Sequence, residues 1–436
     1  MFLPEFVRQC IERLENRGFA CYAVGGCVRD SLLGLTPQDY DLCTDALPAQ
    51  TQQIFTDHIL VLAGEKHGTI GVVTDGGVVE ITTFRTEGDY SDNRHPGWVE
   101  FVKNIEGDLS RRDFTVNAMA WSPKRGLADP FGGQQDLENH ILRAVGDADA
   151  RFTEDSLRIL RGVRFSVRYQ LIPEEKTLQS MISHAPLLEN IARERVFDEL
   201  CKLLPLVSAD DLLRFAPILT QVIPELAPTM GFDQHNRNHI YDVFTHICHV
   251  TEAAPPELSL RWAALLHDIG KPDTFSWGED GQGHFYGHAQ LSARMADELL
   301  LRLKASNTLR DEVVFLIDHH MTWPKADRKL LRRYLSRWGK ERLMKLLLLQ
   351  QADSGSKGVP GDASIFEEIQ TIIQELVAEN SCLTLRDLAV NGHDLMALGL
   401  SGSAIGDCLN SLLAQVLDEK IPNEKSALLA EVRRML

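Results

Sequence analysis

Several things are scarce in this chain. No apolar run approaches the ~18 residues of a membrane-spanning helix, and there is no low-complexity tract. The eight cysteines include no Cys-x-x-Cys pair and no framework spacing, which points away from disulfide scaffolds and towards reduced cytoplasmic thiols. A signal peptide is not expected either, because residues 4–18, PEFVRQCIERLENRG, place Phe6, Cys10, Ile11 and Leu14 at helical spacing among charges. Basic charge is in deficit, with 45 Lys and Arg against 62 Asp and Glu and a net charge of −17. Such a chain does not coat nucleic acid over its whole surface, so any footprint for one must be local.

What is present begins with YAVGGCVRDSLLGLTPQDYDLCTD, residues 22–45. An apolar run ending at Val24 predicts a buried strand, and Gly25-Gly26 permits a turn whose amides can face a phosphate. A short helix is expected from about Val28 to Leu33, with Arg29 near its start. Asp39 and Asp41 flank Tyr40; on a strand, residues two apart share a side, so the two carboxylates converge. Convergent Asp residues are a typical seat for Mg²⁺ bound with substrate phosphates. Glu80, in VVEITTFR, is a third candidate carboxylate. Apolar stretches at 58–62, 69–74 and 78–84 predict a small mixed sheet.

Strand, Gly-Gly, Arg, helix and Asp-x-Asp in one stretch resemble the nucleotidyltransferase motif of the DNA polymerase β superfamily. The form is that of class II tRNA nucleotidyltransferases, the CCA-adding enzymes, and their poly(A) polymerase relatives. Further strings fit that class. RRDFTVNAMAW, residues 111–121, is similar to its second motif, and the resemblance implies nucleotide contacts from Arg112, Asp113 and Asn117 beside Gly25, Gly26 and Arg29. DPFGGQQDLENHILRAVG, residues 129–146, looks like the hinge motif. TEGDYSDNRHPGW, residues 86–98, is expected to be a long functional loop, which the class needs for adding A after CC.

From about residue 150 strands all but vanish. RFTEDSLRILRGVRFSVRY suggests a helix capped by Thr153, with Leu157, Leu160, Val163 and Val167 along one stripe. Arg158, Arg161, Arg164 and Arg168 form another, a candidate basic footprint. Asp155 and Arg158, three apart, are helix neighbours that could simply pair. The resemblance instead makes Glu154-Asp155-x-x-Arg158 the base-reading template, with Arg161 and Arg164 also near the nucleotide. A carboxylate only accepts and a guanidinium only donates, so the pair suits the amine and ring nitrogen shared by cytosine and adenine and mismatches uracil and guanine. RERVFDELCKLL, residues 193–204, resembles the last shared motif. Residues 325–345 hold nine Lys or Arg and two acids, balanced between a solvated helix face and an RNA contact.

A second constellation lies at residues 239–353. His246, HDIGKP with His267 and Asp268, then His288, His319, His320 and Asp353 resemble the HD phosphohydrolase superfamily. The resemblance implies His246, His267, Asp268 and Asp353 as metal ligands. His288 and His319 are further candidates, with the choice between His319 and His320 open. Mn, Ni, Co or Mg are candidate ions.

The expected architecture is therefore α+β, a small mixed-sheet head followed by an all-α neck, body, HD domain and tail. The boundaries are 1–145 for the head, 146–225 for the neck and body, 226–355 for the HD domain and 356–436 for a tRNA-binding tail. The expected activity is template-independent addition of CMP and AMP to the tRNA 3′ end in the cytoplasm, with Mg²⁺ as cofactor and CTP, ATP and tRNA as partners. HD-domain phosphohydrolysis would accompany it. The alternatives are an A-adding enzyme, a poly(A) polymerase, or an HD phosphohydrolase with an RNA-binding head. The little basic charge in VLAGEKHGTIGVV argues against the polymerase.

Overall fold

The computed structural model describes residues 3–90, 96–237, 239–323, 325–357, 364–379 and 382–436. Two compact units emerge, Met1–Leu206 with Arg214–Pro224, and Val207–Leu213 with Glu225–Leu436. Helix accounts for 59% and strand for 12%, the α+β composition expected.

The first unit opens with α1 (Glu5–Glu15), which buries Val7, Cys10, Ile11 and Leu14. The head then runs β1 (Cys21–Val24), α2 (Gly26–Leu32), β2 (Asp41–Thr44), α3 (Pro48–Ile54), β3 (Leu60–Val61), β4 (Thr69–Thr74) and β5 (Gly77–Thr83). It continues through β6 (Arg85–Tyr90), β7 (Pro96–Phe101), α4 (Ile105–Ser110), β8 (Ala120–Ser122), β9 (Gly126–Ala128), α5 (Gly133–Glu138) and β10 (Ile141–Leu142). Seven strands make one sheet in the order β3-β4-β5-β2-β1-β8-β9. Only β2 and β5 run parallel in it, so the sheet is mixed. Tyr22, Val24, Cys43, Phe84, Leu109 and Ala120 form a core against one face, and β1, buried at all four residues, shows the other face covered as well.

The polar stretch read as a loop over 86–98 is largely a hairpin. β6 and β7 pair antiparallel from Arg85 opposite Phe101 to Tyr90 opposite Pro96, and residues 91–95 lie outside the described residues. A two-stranded ribbon separate from the main sheet is held by backbone hydrogen bonds and needs no apolar alternation, so periodicity did not reveal it.

The helical remainder of this unit comprises α6 (Ala148–Glu154), α7 (Leu157–Tyr169), β11 (Ile172–Pro173), α8 (Glu175–His184) and α9 (Arg193–Leu203), and it reaches into α10 (Ala209–Val222). Thr153 does not start the helix. Asp147 caps α6 by accepting from Asp149 N, while Thr153 Oγ1 donates to Asp149 O near the other end. Asp155 leaves helical geometry, at φ −140° and ψ 97°, and its Oδ1 accepts from Leu157 N at 3.1 Å. One acidic residue thus ends α6 and leads into α7, a role that suits short polar side chains at helix boundaries.

The second unit holds α11 (Val243–Ala253), α12 (Leu258–Leu266), α13 (Lys271–Thr274), the ribbon β12 (Phe275–Trp277) and β13 (Gly283–Phe285), α14 (His288–Arg302), α15 (Asn307–His319) and α16 (Arg328–Gly355). After these come α17 (Ser364–Ala378), α18 (Gly392–Met396), α19 (Ser403–Leu417) and α20 (Lys425–Met435). α12 is buried on every side, with Trp262 fully enclosed. α16 breaks at Gly339, whose φ of 78° and ψ of 164° suit glycine alone. Leu331, Leu335, Leu343 and Leu347 on α16 pack with Phe366, Ile369, Ile373 and Leu376 on α17. Leu395, Leu412, Leu428 and Val432 centre a separate core for the last three helices.

Candidate functional site

A cavity of about 460 Å³ gathers most of the residues picked out in the first half of the sequence. Gly25, Gly26, Asp39, Asp41 and Arg112 come from the head, and Asp155, Arg158 and Arg195 from the helices after it. A larger cavity of about 700 Å³ lies near Phe131, Arg143 and Lys176. It holds none of the predicted residues, and Asp136 and Glu174 neutralise its Arg143.

Gly25 sits between β1 and α2 at φ 75° and ψ −124°, a conformation open essentially to glycine. A Cβ there would also stand 2.8 Å from Arg112 Nη1. The Arg112 guanidinium therefore lies directly against the Gly-Gly turn. Its Nη2 approaches Asp108 at 3.4 Å, and its Nε is buried without a partner. A guanidinium edge laid against a glycine turn at the cavity wall fits a phosphate oxygen.

Asp41 is the first residue of β2 and stands in register with Glu80 on β5. Asp39 precedes the strand and is not part of it; the strand geometry invoked for its convergence applies to Asp41 alone. The carboxylates are nonetheless close enough to repel. Asp41 lines the cavity and keeps an exposed face, yet burial of its carboxyl by the protein around it pushes the group up to about 6, with Asp39 and Glu80 adding to the shift and Arg112 opposing it. Oxygen donors that repel one another suit a hard divalent cation, which relieves that repulsion.

Most arginines around the cavity are already committed. Arg29 is buried, with its guanidinium bonded to Asp30, Asn117 and Tyr169 and stacked over the Tyr169 ring at 4.1 Å. Arg161 donates to Asp113 Oδ2 at 2.9 Å, and Asn117 Nδ2 donates to Asp113 Oδ1 at 3.1 Å. Burial alone would raise the Asp113 carboxyl; Arg161 and Asn117 overcome it and hold the group down at about 2. Arg164 pairs with Glu199 at 2.6 Å. The arginine stripe on α7 is therefore no free basic face: three of its four members have acidic partners.

Asp155 and Arg158 make no ion pair with each other, contrary to the plain helix-neighbour expectation. Arg158 Nη1 donates to Glu154 Oε2 at 2.7 Å and Arg151 O at 3.1 Å, and Nη2 donates to Arg111 O at 3.0 Å. Asp155 Oδ2 accepts from Arg195 Nη2 at 3.1 Å. The chain turn at Asp155 separates the two, so each keeps spare hydrogen-bonding capacity towards the cavity.

The second constellation also assembles. Nε2 of His246 lies 3.5 Å and Nε2 of His267 3.1 Å from Asp268 Oδ2; His288 Nε2 is 3.4 Å and His320 Nε2 3.9 Å from Oδ1. Asp353 Oδ1 is 3.1 Å from His246. His267, His288 and His320 each give Nδ1 to a backbone carbonyl, of Ala264, Phe285 and Ile317. That fixes Nε2 as the inward-facing lone pair, the arrangement that orients imidazoles towards a metal. The Nε2 atoms of His246 and His267 and Oδ1 of Asp268 are buried without hydrogen bonds. Burial lowers the pKa of His246 and His288 and takes His320 down to about 3. His267 goes the other way, since Asp268 outweighs its burial.

His319 does not join this cluster. It stacks on Phe315 at 4.6 Å and faces Trp338, while His320, almost fully buried, occupies the place. Adjacent residues on a helix diverge by about 100°, so only one of the two could face inward, and periodicity did not say which. Most of the basic stretch 325–345 is paired within its own unit. Arg328 meets Glu375 and Glu379, Arg332 meets Glu419, Arg333 meets Asp418, Arg342 meets Glu312 and Lys345 meets Glu257. Tyr334 stacks on Trp338 at 4.4 Å. Among the described residues Lys325, Arg337 and Lys340 have no such acidic partner, so the charge free for an RNA backbone is reduced to a minority of the nine.

Comparison with known proteins places this geometry. The family model "Poly A polymerase head domain" matches residues 21–143. "Probable RNA and SrmB- binding site of polymerase A" matches 171–230, and tRNA nucleotidyltransferase domain 2 matches 284–432. The CCA-adding enzyme of Streptococcus mutans is 34% identical over 426 residues, 97% of this chain and 95% of its own. That of Levilactobacillus brevis is 34% identical over 443 residues, 98% and 97% of the two chains. The chain belongs to the CCA-adding enzyme family. Among solved structures, the Bacillus stearothermophilus CCA-adding enzyme in complex with CTP is similar across 100% of this chain and 98% of that one, with a TM-score of 0.75 and 27% identity.

For a CCA-adding enzyme family member, the sequence pointed to the Asp-x-Asp, Arg-Arg-Asp and Glu-Asp-x-x-Arg residues and missed their holders. Arg195 and Glu199 lay inside a recognised string with no role attached. His239, whose ring lies 5.2 Å from that of His246 with Nδ1 buried and unpartnered, carried no signal beyond being one more histidine. Lys271, 2.7 Å from Asp268, sat in HDIGKP unremarked.

Proposed function

We propose that this chain adds CMP and AMP to the 3′ end of tRNA, in the cytoplasm, without a nucleic-acid template. One observation carries it: a single cavity joins the repelling Asp39 and Asp41, the Gly25–Arg112 phosphate seat, and the separately held Asp155 and Arg158. The relatives' names and the CTP complex of the Bacillus stearothermophilus enzyme support it. Asp39, Asp41 and Glu80 would hold Mg²⁺, which when bound activates a hydroxyl and stabilises the departing pyrophosphate. Gly25, Gly26 and Arg112 receive the triphosphate. Asp155 accepts from the exocyclic amine of cytosine or adenine, and Arg158 donates to the ring nitrogen beside it. Sites built around a substrate's hydrogen bonds reject mismatches by roughly 10⁴–10⁵. The roles assigned to segments 1–145, 146–225, 226–355 and 356–436 are part of the same proposal. Incubating tRNA ending at the discriminator base, at C or at CC with each nucleotide separately tests it. Extension of the CC end alone would make this an A-adding enzyme, and untemplated AMP addition to any RNA would make it a poly(A) polymerase.

The inward-facing Nε2 set favours a second activity, metal-dependent phosphohydrolysis in the helical unit. His246, His267, Asp268 and Asp353 would hold a divalent ion, with His288 and His320 completing the donor set. Mixed nitrogen and oxygen donors suit Mn, Ni or Co as well as Mg. Hydrolysis of simple and 2′,3′-cyclic phosphoesters, assayed with each ion, checks it; inactivity with all four would leave the cluster a structural centre.

A further inference from the structure

The base-reading proposal needs an acceptor and a donor that stay side by side without joining. Asp155 and Arg158 are opposite charges three residues apart at one cavity wall, so their cheapest arrangement in isolation is a pair of their own. Such a pair would use the very lone pair and N–H that a base must find. The structure prevents this from both sides. Glu154 and two carbonyls hold Arg158, and on the other side Oδ2 of Asp155 is taken by Arg195, the third residue of α9. Oδ1 accepts from Leu157 N, so both carboxylate oxygens are anchored and the group's rotation is fixed. Of an ionised carboxylate's roughly four acceptor sites two are used, which leaves capacity for one amine.

We propose that Arg195 is a positioning residue for nucleotide selection: it draws Asp155 away from Arg158 and holds its carboxylate towards the incoming base. This rests on the assignment of Asp155 and Arg158 as the base-reading pair. It gives a role to Arg195 in the 193–204 stretch, which otherwise buries Val196, Leu200 and Leu203 and places Glu199. Glu199, one turn further along α9, anchors Arg164, so the helix is fastened to α7 independently of Arg195 and should survive its replacement.

The test is the ratio of kcat/KM for CTP to that for UTP on tRNA ending at the discriminator base. Arg195→Gln should lower the ratio by about tenfold, the scale of one charged hydrogen bond, chiefly by raising UTP use. Arg195→Lys should recover part of it and gives the same reading should the Gln variant fold poorly. Adding Arg195→Gln to Asp155→Ala should change the ratio no further, since the two act as one unit. An equal fall for CTP and UTP in both Arg195 variants would overturn the proposal and leave Arg195 a packing residue. If Asp155→Ala itself keeps the wild-type ratio, the base-reading assignment is what fails. If Asp155→Ala loses the ratio and Arg195→Gln keeps it, only the positioning role fails.

Discussion

The carboxylate site of the head and the histidine centre of the helical unit solve one electrostatic problem in opposite surroundings. In the head, Asp39, Asp41 and Glu80 keep exposed faces beside the ends of interior strands, and the Asp41 carboxyl is raised first by the protein packed around it and further by repulsion from Asp39 and Glu80. In the helical unit the groups are buried, and the tension appears as lone pairs facing one another: the Nε2 atoms of His288 and His320 lie 3.2 Å apart with both Nδ1 atoms spent on carbonyls. A cation relieves either arrangement. The open, all-oxygen site suits an ion that arrives with a substrate's phosphates and departs with product. The enclosed nitrogen-rich site suits a resident ion, because its donors have no water to turn to.

The sharpest way to break this comparison is to remove one anchor from each site and ask whether the other notices. Asp41→Ala should lower nucleotide addition by about 10³ or more, since a metal contributes several kcal/mol to such a transition state, while hydrolysis at the histidine centre continues. His267→Ala should do the converse. Metal retained after dialysis, measured by elemental analysis, should disappear from the His267 variant and persist in the Asp41 variant. Equal metal retention by both would erase the distinction between a resident and a travelling ion.

A smaller effect is expected at the phosphate seat. Gly25→Ala places a Cβ 2.8 Å from Arg112 Nη1 in a backbone conformation that costs about 1–3 kcal/mol for other residues. The KM for CTP and ATP should rise together, with their ratio unchanged. A change confined to one nucleotide would mean that the glycine turn touches the base.

Acid should act on the head through Asp113. Its folded pKa, about 2, lies below the ordinary carboxylate range, so the stabilisation from Arg161 is complete above about pH 4. It is lost as pH falls towards 2. Asp113→Asn should be less stable at neutral pH and should flatten the acid limb of the unfolding profile. A profile parallel to that of the parent would reassign the acid sensitivity to other carboxylates.

The smallest effect belongs to the basic stretch. Arg333→Ala removes an exposed partner of Asp418, and exposed ion pairs contribute little. Thermal midpoint and tRNA affinity should both stay nearly unchanged. A clear loss of tRNA affinity would restore these arginines as an RNA contact.

By itself the sequence singled out the residues that the fold gathers and the elements that bear them: the Gly-Gly turn after β1, the acids at and just before β2, the change from strand to helix near residue 150, and the histidines of the second unit. These rest on local spacing and turn chemistry, which a chain carries in its order of residues. Tertiary structure alone decided who partners whom. It committed Arg161 to Asp113 and Arg164 to Glu199. It chose His320 over His319, set the basic run of 325–345 against acids up to 87 residues away, and gave Asp155 to Arg195 across 40 residues. A charge pairs with whatever opposite charge the fold brings within a few ångströms, and sequence separation says nothing about that distance.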